Sequence, residues 1–125
     1  MNLTNNEMLL AYNRLQNMQD REQEEKKILF PHKAKVTYAI RRNKAKLEAA
    51  LKPFNEEREV LLKTCSDPEN SETGIKEECA NDWKDGVNQL LELTEDVDVR
   101  MISIDELEDC DLSIADMEAI DFMIE

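Results

Sequence analysis

The chain is 125 residues long and has a formal net charge of −13 at pH 7. Hydrophobic residues make up 41% and charged residues 36%, so the length fits one domain with a modest core. Two glycines and three prolines are too few for an all-β fold, and they exclude a glycine-rich phosphate-binding loop. The composition therefore favours a single, mainly α domain.

The first predicted element is an α-helix from about residue 5 to about residue 25. Thr4 and Glu7 have the spacing of a capping box, in which each side chain bonds a free backbone N–H at the helix start. Beyond this cap, apolar residues recur at steps of three and four, which places them on one helical face. An apolar stretch ending at Pro31 then predicts a corner where the chain turns back.

The second predicted helix carries the most regular apolar pattern in the chain. Its row alternates steps of four and three residues, a heptad spacing that favours packing against another helix. Pro53 removes one backbone hydrogen bond from this helix. We interpret it as a kink, with a break into two shorter helices as the alternative. If the row joins copies of the chain, Asn43 would fix their register. The predicted oligomer seam comprises Val36, Ile40, Asn43, Leu47, Phe54 and Leu61.

A loop and a third helix are predicted after the hairpin. Residues 66–80 contain a proline, a glycine and several acids, which is typical of a mobile loop. The next helix has Asn81 or Asp82 as its candidate cap and an apolar face that begins at Trp83.

A short strand and a final helix complete the predicted elements. Apolar residues alternate with polar ones over 97–104, with a slip of one position, which indicates a strand with a bulge or bend. Its partner would be residues 1–3 or a second subunit, because a lone strand leaves its backbone groups unpaired. Ser113 and Asp116 repeat the capping-box spacing before the final helix. Its predicted buried stripe comprises Ile114, Met117 and Ile120, with Ile124 as a further candidate.

The predicted fold class is thus mainly α within one domain of residues 1–125. Residues 1–65 form a helical hairpin with a long, kinked second helix, and residues 66–80 form a mobile loop. Residues 81–125 form an acidic region with a third helix, one short strand or two-stranded ribbon, and a short C-terminal helix.

Parts of this pattern resemble a known family. The resemblance lies in three places: Tyr38, Ile40 and Asn43 in a helical hairpin, the stretch LLELTEDVDV, and the tail from Ile102 to Glu125. They resemble small phage and prophage proteins of Firmicutes that are catalogued only as a domain of unknown function. The resemblance covers most of the chain, and the tail is its most specific part. It implies a viral, non-catalytic protein with a strand before the first helix, and it supplies no active-site residues.

No pattern in the chain predicts catalysis or metal binding. Cys65, Cys79, Cys110 and His32 lack the close pair spacing of structural zinc sites. An odd number of cysteines without a signal-peptide pattern favours reduced thiols in a cytoplasm. No apolar run approaches the roughly 20 residues of a membrane span. We therefore expect no enzymatic activity, no cofactor, no metal and no membrane contact.

The charge is divided unevenly along the chain. Residues 1–65 hold 13 Lys and Arg against 9 Asp and Glu, a net of +4, whereas residues 66–125 hold 3 against 20, a net of −17. The basic stretch over 33–46 is interpreted as a solvated helix face that the acidic half neutralises. The acidic half should repel nucleic acid and attract a basic protein surface. The predicted partner-binding residues are Asp105, Glu106, Glu108, Asp109, Asp111, Asp116, Glu118 and Asp121.

Two functions fit these patterns. In the first, a phage protein in the host cytoplasm inhibits a host or defence protein, with its acidic half imitating nucleic acid. In the second, a phage structural or tail-assembly component oligomerises through the seam of residues 36–61. An enzyme ranks third.

Overall fold

A computed structural model describes residues 1–67, 69 and 74–125. Within that part of the chain, four α-helices and two short strands occur in the order β1 (Asn2–Thr4), α1 (Asn5–Glu25), α2 (Ala34–Cys65), α3 (Ala80–Glu92), β2 (Thr94–Asp96) and α4 (Ile114–Ile120). Single 3-10 turns cover Glu77–Cys79, Ile104–Leu107 and Asp121–Met123. The predicted mainly α fold is confirmed.

Helix α1 begins at the predicted cap. The Thr4 hydroxyl accepts a hydrogen bond from the Glu7 backbone N–H at 3.0 Å, and the Thr4 N–H donates to the Glu7 carboxylate at 2.9 Å. Lys26 ends the helix in a left-handed conformation, with φ at 51°. Both predicted bounds of α1 are therefore confirmed.

Helix α2 runs without a break through Pro53 for 32 residues. It packs against α1, as the predicted hairpin requires, and against α3. Pro53 is exposed, so its missing N–H faces the solvent side of the helix. The alternative of two separate helices is wrong.

The heptad row of α2 lies inside the chain. Asn43 and Leu47 are fully buried, and only Leu61 of the row is partly exposed. Leu61 packs on Gly86 of α3, where an added Cβ would lie 2.7 Å from a Leu61 methyl carbon. Because the same chain covers the other five side chains, the row offers a second copy only the exposed part of Leu61. This corrects the oligomer-seam hypothesis for Val36, Ile40, Asn43, Leu47, Phe54 and Leu61.

The segment between α2 and α3 is held at its base. The Asp67 N–H donates to the Gly74 carbonyl and the Lys76 N–H to the Cys65 carbonyl, each at 2.7 Å. The prediction of a mobile loop falls partly on residues 68 and 70–73, which lie outside the described residues. Helix α3 then begins directly after a 3-10 turn and has no side-chain cap. The predicted cap at Asn81 or Asp82 is therefore wrong.

Strands β1 and β2 form a two-stranded antiparallel ribbon that pairs Leu3 with Glu95. The partner is thus the N-terminal segment of the same chain, one of the two predicted candidates. The strand itself lies just before the predicted range of 97–104. Residues 97–101 do alternate in burial, but among the described residues Ile102 makes a single parallel bridge, to Ile124.

Helix α4 has the predicted capping box between Ser113 and Asp116. Ile120 is fully buried and Met117 is half-buried, whereas Ile114 is 82% exposed. The predicted burial of Ile114 is wrong because steps of three residues drift around a helix with 3.6 residues per turn. Ile114 consequently lies about 120° from Ile120 on the helix surface.

Candidate partner-binding surface

The eight predicted partner-binding residues lie in one segment, residues 105–121, called here the acidic segment. It comprises the 3-10 turn Ile104–Leu107, the connection to α4, α4 itself and the start of the last 3-10 turn. Helix α4 packs against α1, which fixes the segment on the hairpin. Six of the eight side chains are exposed: Asp105, Glu108, Asp109, Asp111, Glu118 and Asp121.

Glu106 is half-buried and has a local structural role. Its carboxylate accepts a hydrogen bond from the Ser103 N–H at 3.1 Å, and the Ser103 hydroxyl accepts one from the Asp105 N–H at 3.3 Å. These two bonds cap the 3-10 turn that presents Asp105 to solvent. Further on, Asp109 has a φ of 68°, a left-handed conformation that Asp tolerates better than most residues.

Asp116 is buried and does not belong to the accessible surface. Its carboxylate accepts hydrogen bonds from the Ser113 N–H at 3.0 Å and from the Arg21 guanidinium at 2.9 Å. Burial alone would raise the pKa of Asp116, but the hydrogen bonds from Ser113 and Arg21 outweigh it and hold the pKa below its usual value. The predicted contact role of Asp116 is therefore corrected to a structural one.

Glu22 shares this environment on α1. Burial, and secondly the negative charge of Asp116, raise the pKa of Glu22 above its usual value. The two carboxylates thus shift in opposite directions, because Arg21 binds Asp116 directly.

Most exposed acids of the segment have no ion-pair partner within the described residues. Asp111 lies 3.1 Å from the Lys27 ammonium, in a pair of which both side chains are solvated. Such exposed pairs contribute about 0–1 kcal/mol and leave much of the charge available. Among the described residues, no cation lies within ion-pairing distance of Asp105, Glu108, Asp109, Glu118 or Asp121.

A groove, called here the α1–α4 groove, lies along the contact between α1 and α4. It consists of two adjoining depressions of about 470 Å³ and about 180 Å³, and Arg14, Glu118 and Asp121 line both of them. Ile114 lines the larger depression, and Leu10, which is 47% exposed, lines the smaller one. Part of the acidic segment thus borders an apolar depression. The remaining apolar side chains of the groove are Leu3, Ala11, Leu112, Met117, Ala119 and Phe122.

The local sequence patterns do not predict this groove. Leu10 is the one sequence feature that indicates an exposed apolar site, because it is a large apolar residue outside the buried stripe of α1. Ile114 gives no such indication, because its spacing to Met117 and Ile120 is the spacing expected of a buried stripe. The two adjoining depressions that Leu10 and Ile114 line depend on how α4 packs against α1, which no local pattern encodes.

The basic stretch over 33–46 lies on the first half of α2. The Lys46 ammonium donates to the Asp98 backbone carbonyl at 2.6 Å, and the Lys44 ammonium donates to the side chains of Gln16 and Gln19. Parts of the stretch are thus bonded to other elements of the same chain.

The cysteines and the histidine are dispersed, apart from one thiol pair. A hydrogen bond with Cys79, together with desolvation, raises the pKa of Cys65 above its usual value, so the reactive thiolate is disfavoured. In the described part of the chain, no three His, Cys, Asp or Glu side chains converge as metal ligands. Nor is any helix there both long and apolar enough to cross a membrane.

Comparisons of the chain with protein-family models, with curated proteins and with solved structures gave no match. The resemblance of the tail to phage proteins therefore stays a prediction.

Proposed function

We propose that this chain is a non-catalytic interaction protein that binds and inhibits a host or defence protein through its acidic C-terminal half. One observation carries the proposal: five exposed carboxylates of the acidic segment have no ion-pair partner among the described residues. A partner with a basic surface complements such an array. The five residues are Asp105, Glu108, Asp109, Glu118 and Asp121.

Inhibition follows from occupancy of a basic surface. A protein that binds nucleic acid exposes Lys and Arg side chains to neutralise phosphates. An array of exposed carboxylates attracts the same side chains and speeds the encounter, and this attraction weakens with added salt. While this chain is bound, nucleic acid cannot use that surface.

The resemblance of the tail from Ile102 to Glu125 supports the phage origin in this proposal. A phage protein that acts on a host or defence factor works in the host cytoplasm. The alternative of a tail-assembly component depended on an exposed seam along α2. Five of the six seam side chains are buried within the chain, so no structural observation favours that alternative.

Neutralising the five unpaired carboxylates tests the proposal. Asp105→Asn, Glu108→Gln, Asp109→Asn, Glu118→Gln and Asp121→Asn are combined in one variant, and an asparagine at position 109 still tolerates the left-handed backbone there. We expect its affinity for a basic host protein captured from lysate to fall by at least about tenfold. The remaining binding should also depend less on salt concentration than wild-type binding does. Nucleic acid should displace the wild-type chain from that partner.

A matched variant controls for net charge. It carries five Glu→Gln changes on exposed residues outside the acidic segment, at Glu25, Glu48, Glu56, Glu57 and Glu59. This control should bind as the wild type does. Equal losses in both variants would show that overall charge, and not this surface, governs binding, and the proposal would fail.

A further inference from the structure

The α1–α4 groove exposes two large apolar side chains, those of Ile114 and Leu10. Ile114 is the most exposed large hydrophobic residue among those described, and Leu10 is about half exposed. Single exposed apolar side chains are ordinary on protein surfaces. Here, however, Ile114 and Leu10 lie in adjoining depressions whose other walls are also partly apolar. Contiguous apolar surface with a polar rim is typical of a binding site.

The rim of the groove is mostly acidic. Glu7, Glu118 and Asp121 lie on it, and Arg14 is its single basic lining residue. The four side chains carry a net charge of −2. None of the three acids has an ion-pair partner among the described residues. An occupant that matches this groove therefore combines apolar side chains on one face with basic side chains on both flanks.

We propose that the α1–α4 groove receives the apolar face of a basic amphipathic helix from the partner. This inference rests on the proposed function and names the partner's structural class. Apolar residues three or four apart on a helix project side by side, and the two adjoining depressions accept two such side chains. Lys and Arg beside these anchors face Glu118 and Asp121.

Arg14 makes the groove selective. It lines both depressions, so a helix that occupies both passes beside it. A helix with basic residues at every polar position places a positive charge next to Arg14, and the two charges repel each other. Replacing Arg14 with Gln should therefore strengthen binding of a purely basic amphipathic helix by about two- to fivefold.

Two synthetic peptides test the inference. One has 18 residues of Leu and Lys with the Leu at helical spacing, and the other has the same composition in scrambled order. Binding to the full chain is measured by fluorescence anisotropy, at concentrations where the peptides are monomeric. We expect the amphipathic peptide to bind at least about tenfold more tightly than the scrambled one. The double variant Leu10→Ser, Ile114→Ser should abolish this preference.

Val60→Ser is the matched control. Val60 is 59% exposed on α2, outside the groove, so its replacement removes a similar apolar side chain without altering the proposed site. It should leave the preference unchanged. Circular dichroism checks that each variant keeps its helix content, and shifts in the NMR spectrum on binding should concentrate on α1 and α4.

The outcomes separate this inference from the proposed function. If the two peptides bind the wild type equally, the groove inference is overturned, while the acidic surface still stands on its own test. If the preference survives Leu10→Ser, Ile114→Ser, the helix binds elsewhere and the groove is excluded. If neither peptide binds, the groove inference also fails. Loss of host capture on neutralising the acidic segment would still uphold the broader proposal.

Discussion

The side chain of Asn43 forms hydrogen bonds with the backbone of Arg100, as a neighbouring strand would. Its amide nitrogen donates to the Arg100 carbonyl at 2.9 Å, and its amide oxygen accepts from the Arg100 N–H at 2.7 Å. A backbone segment that lies on a helix has no neighbouring strand to pair its N–H and C=O groups. Here one side-chain amide supplies both the donor and the acceptor. The polar residue in the heptad row therefore fixes the chain's own C-terminal half.

Replacing Asn43 with Leu should destabilise the fold. The Arg100 N–H and carbonyl would lose their partners in a partly buried place, which costs about 1–3 kcal/mol of unfolding free energy. Urea denaturation measures this change, and Asn55→Leu on the exposed face of α2 is the control. The mass measured by sedimentation should stay at the wild-type value. A changed mass would mean that the heptad row does join copies of the chain.

Asp116→Asn should remove a pH-dependent contribution to stability. The folded pKa of Asp116 lies below the unfolded value, so its ionised form stabilises the fold above that value. This contribution is lost as pH falls through the folded pKa. At pH 7 we expect the variant to be less stable by about 1–2 kcal/mol, because Asn cannot form the ion pair with Arg21.

The difference between wild type and Asp116→Asn should shrink once the pH falls below the ordinary Asp value of 3.8. Denaturation at pH 7 and at about pH 3 measures it. Glu22 gives a second readout by NMR titration, since its pKa should move down towards the usual value when the Asp116 charge is removed. A constant difference across this range would contradict the assigned role of Asp116.

At the scale of elements, α2 tolerates a proline in its interior. A helix of 32 residues is about 48 Å long, and tertiary contacts on both sides of Pro53 hold it together. Leu51 and Phe54 flank the proline and are both buried, so the core fixes the helix on either side of the missing hydrogen bond.

Pro53→Ala should therefore stabilise the chain. Alanine restores the N–H that can bond the Ala49 carbonyl and has a much better helix propensity, for an expected gain of about 1–3 kcal/mol. Thermal unfolding followed by circular dichroism measures the gain, and Lys52→Ala at the neighbouring exposed position is the control. A loss of stability would mean that the core is built around a bend which proline favours.

At the scale of the whole molecule, the two halves of opposite charge are joined by their ion pairs. Each side-chain pair found among the described residues links the first half to the second: Arg21 with Asp116, Lys27 with Asp111, and Lys46 with Asp98. Only the first has a buried partner, so these pairs orient the halves more than they stabilise them. The surplus of acids remains at the surface, where a basic partner can meet it.

The elements whose signals are local could be predicted from the sequence. The caps at Thr4 and Ser113, the periodicity of α1 and α2 and the scarcity of glycine all act within a few residues, and the mainly α class follows from them. Which partner each face meets depends on the tertiary structure. Tertiary contacts bury most of the heptad row and Asp116, pair β2 with β1 and leave Ile114 exposed, because burial depends on contacts between segments distant in the chain.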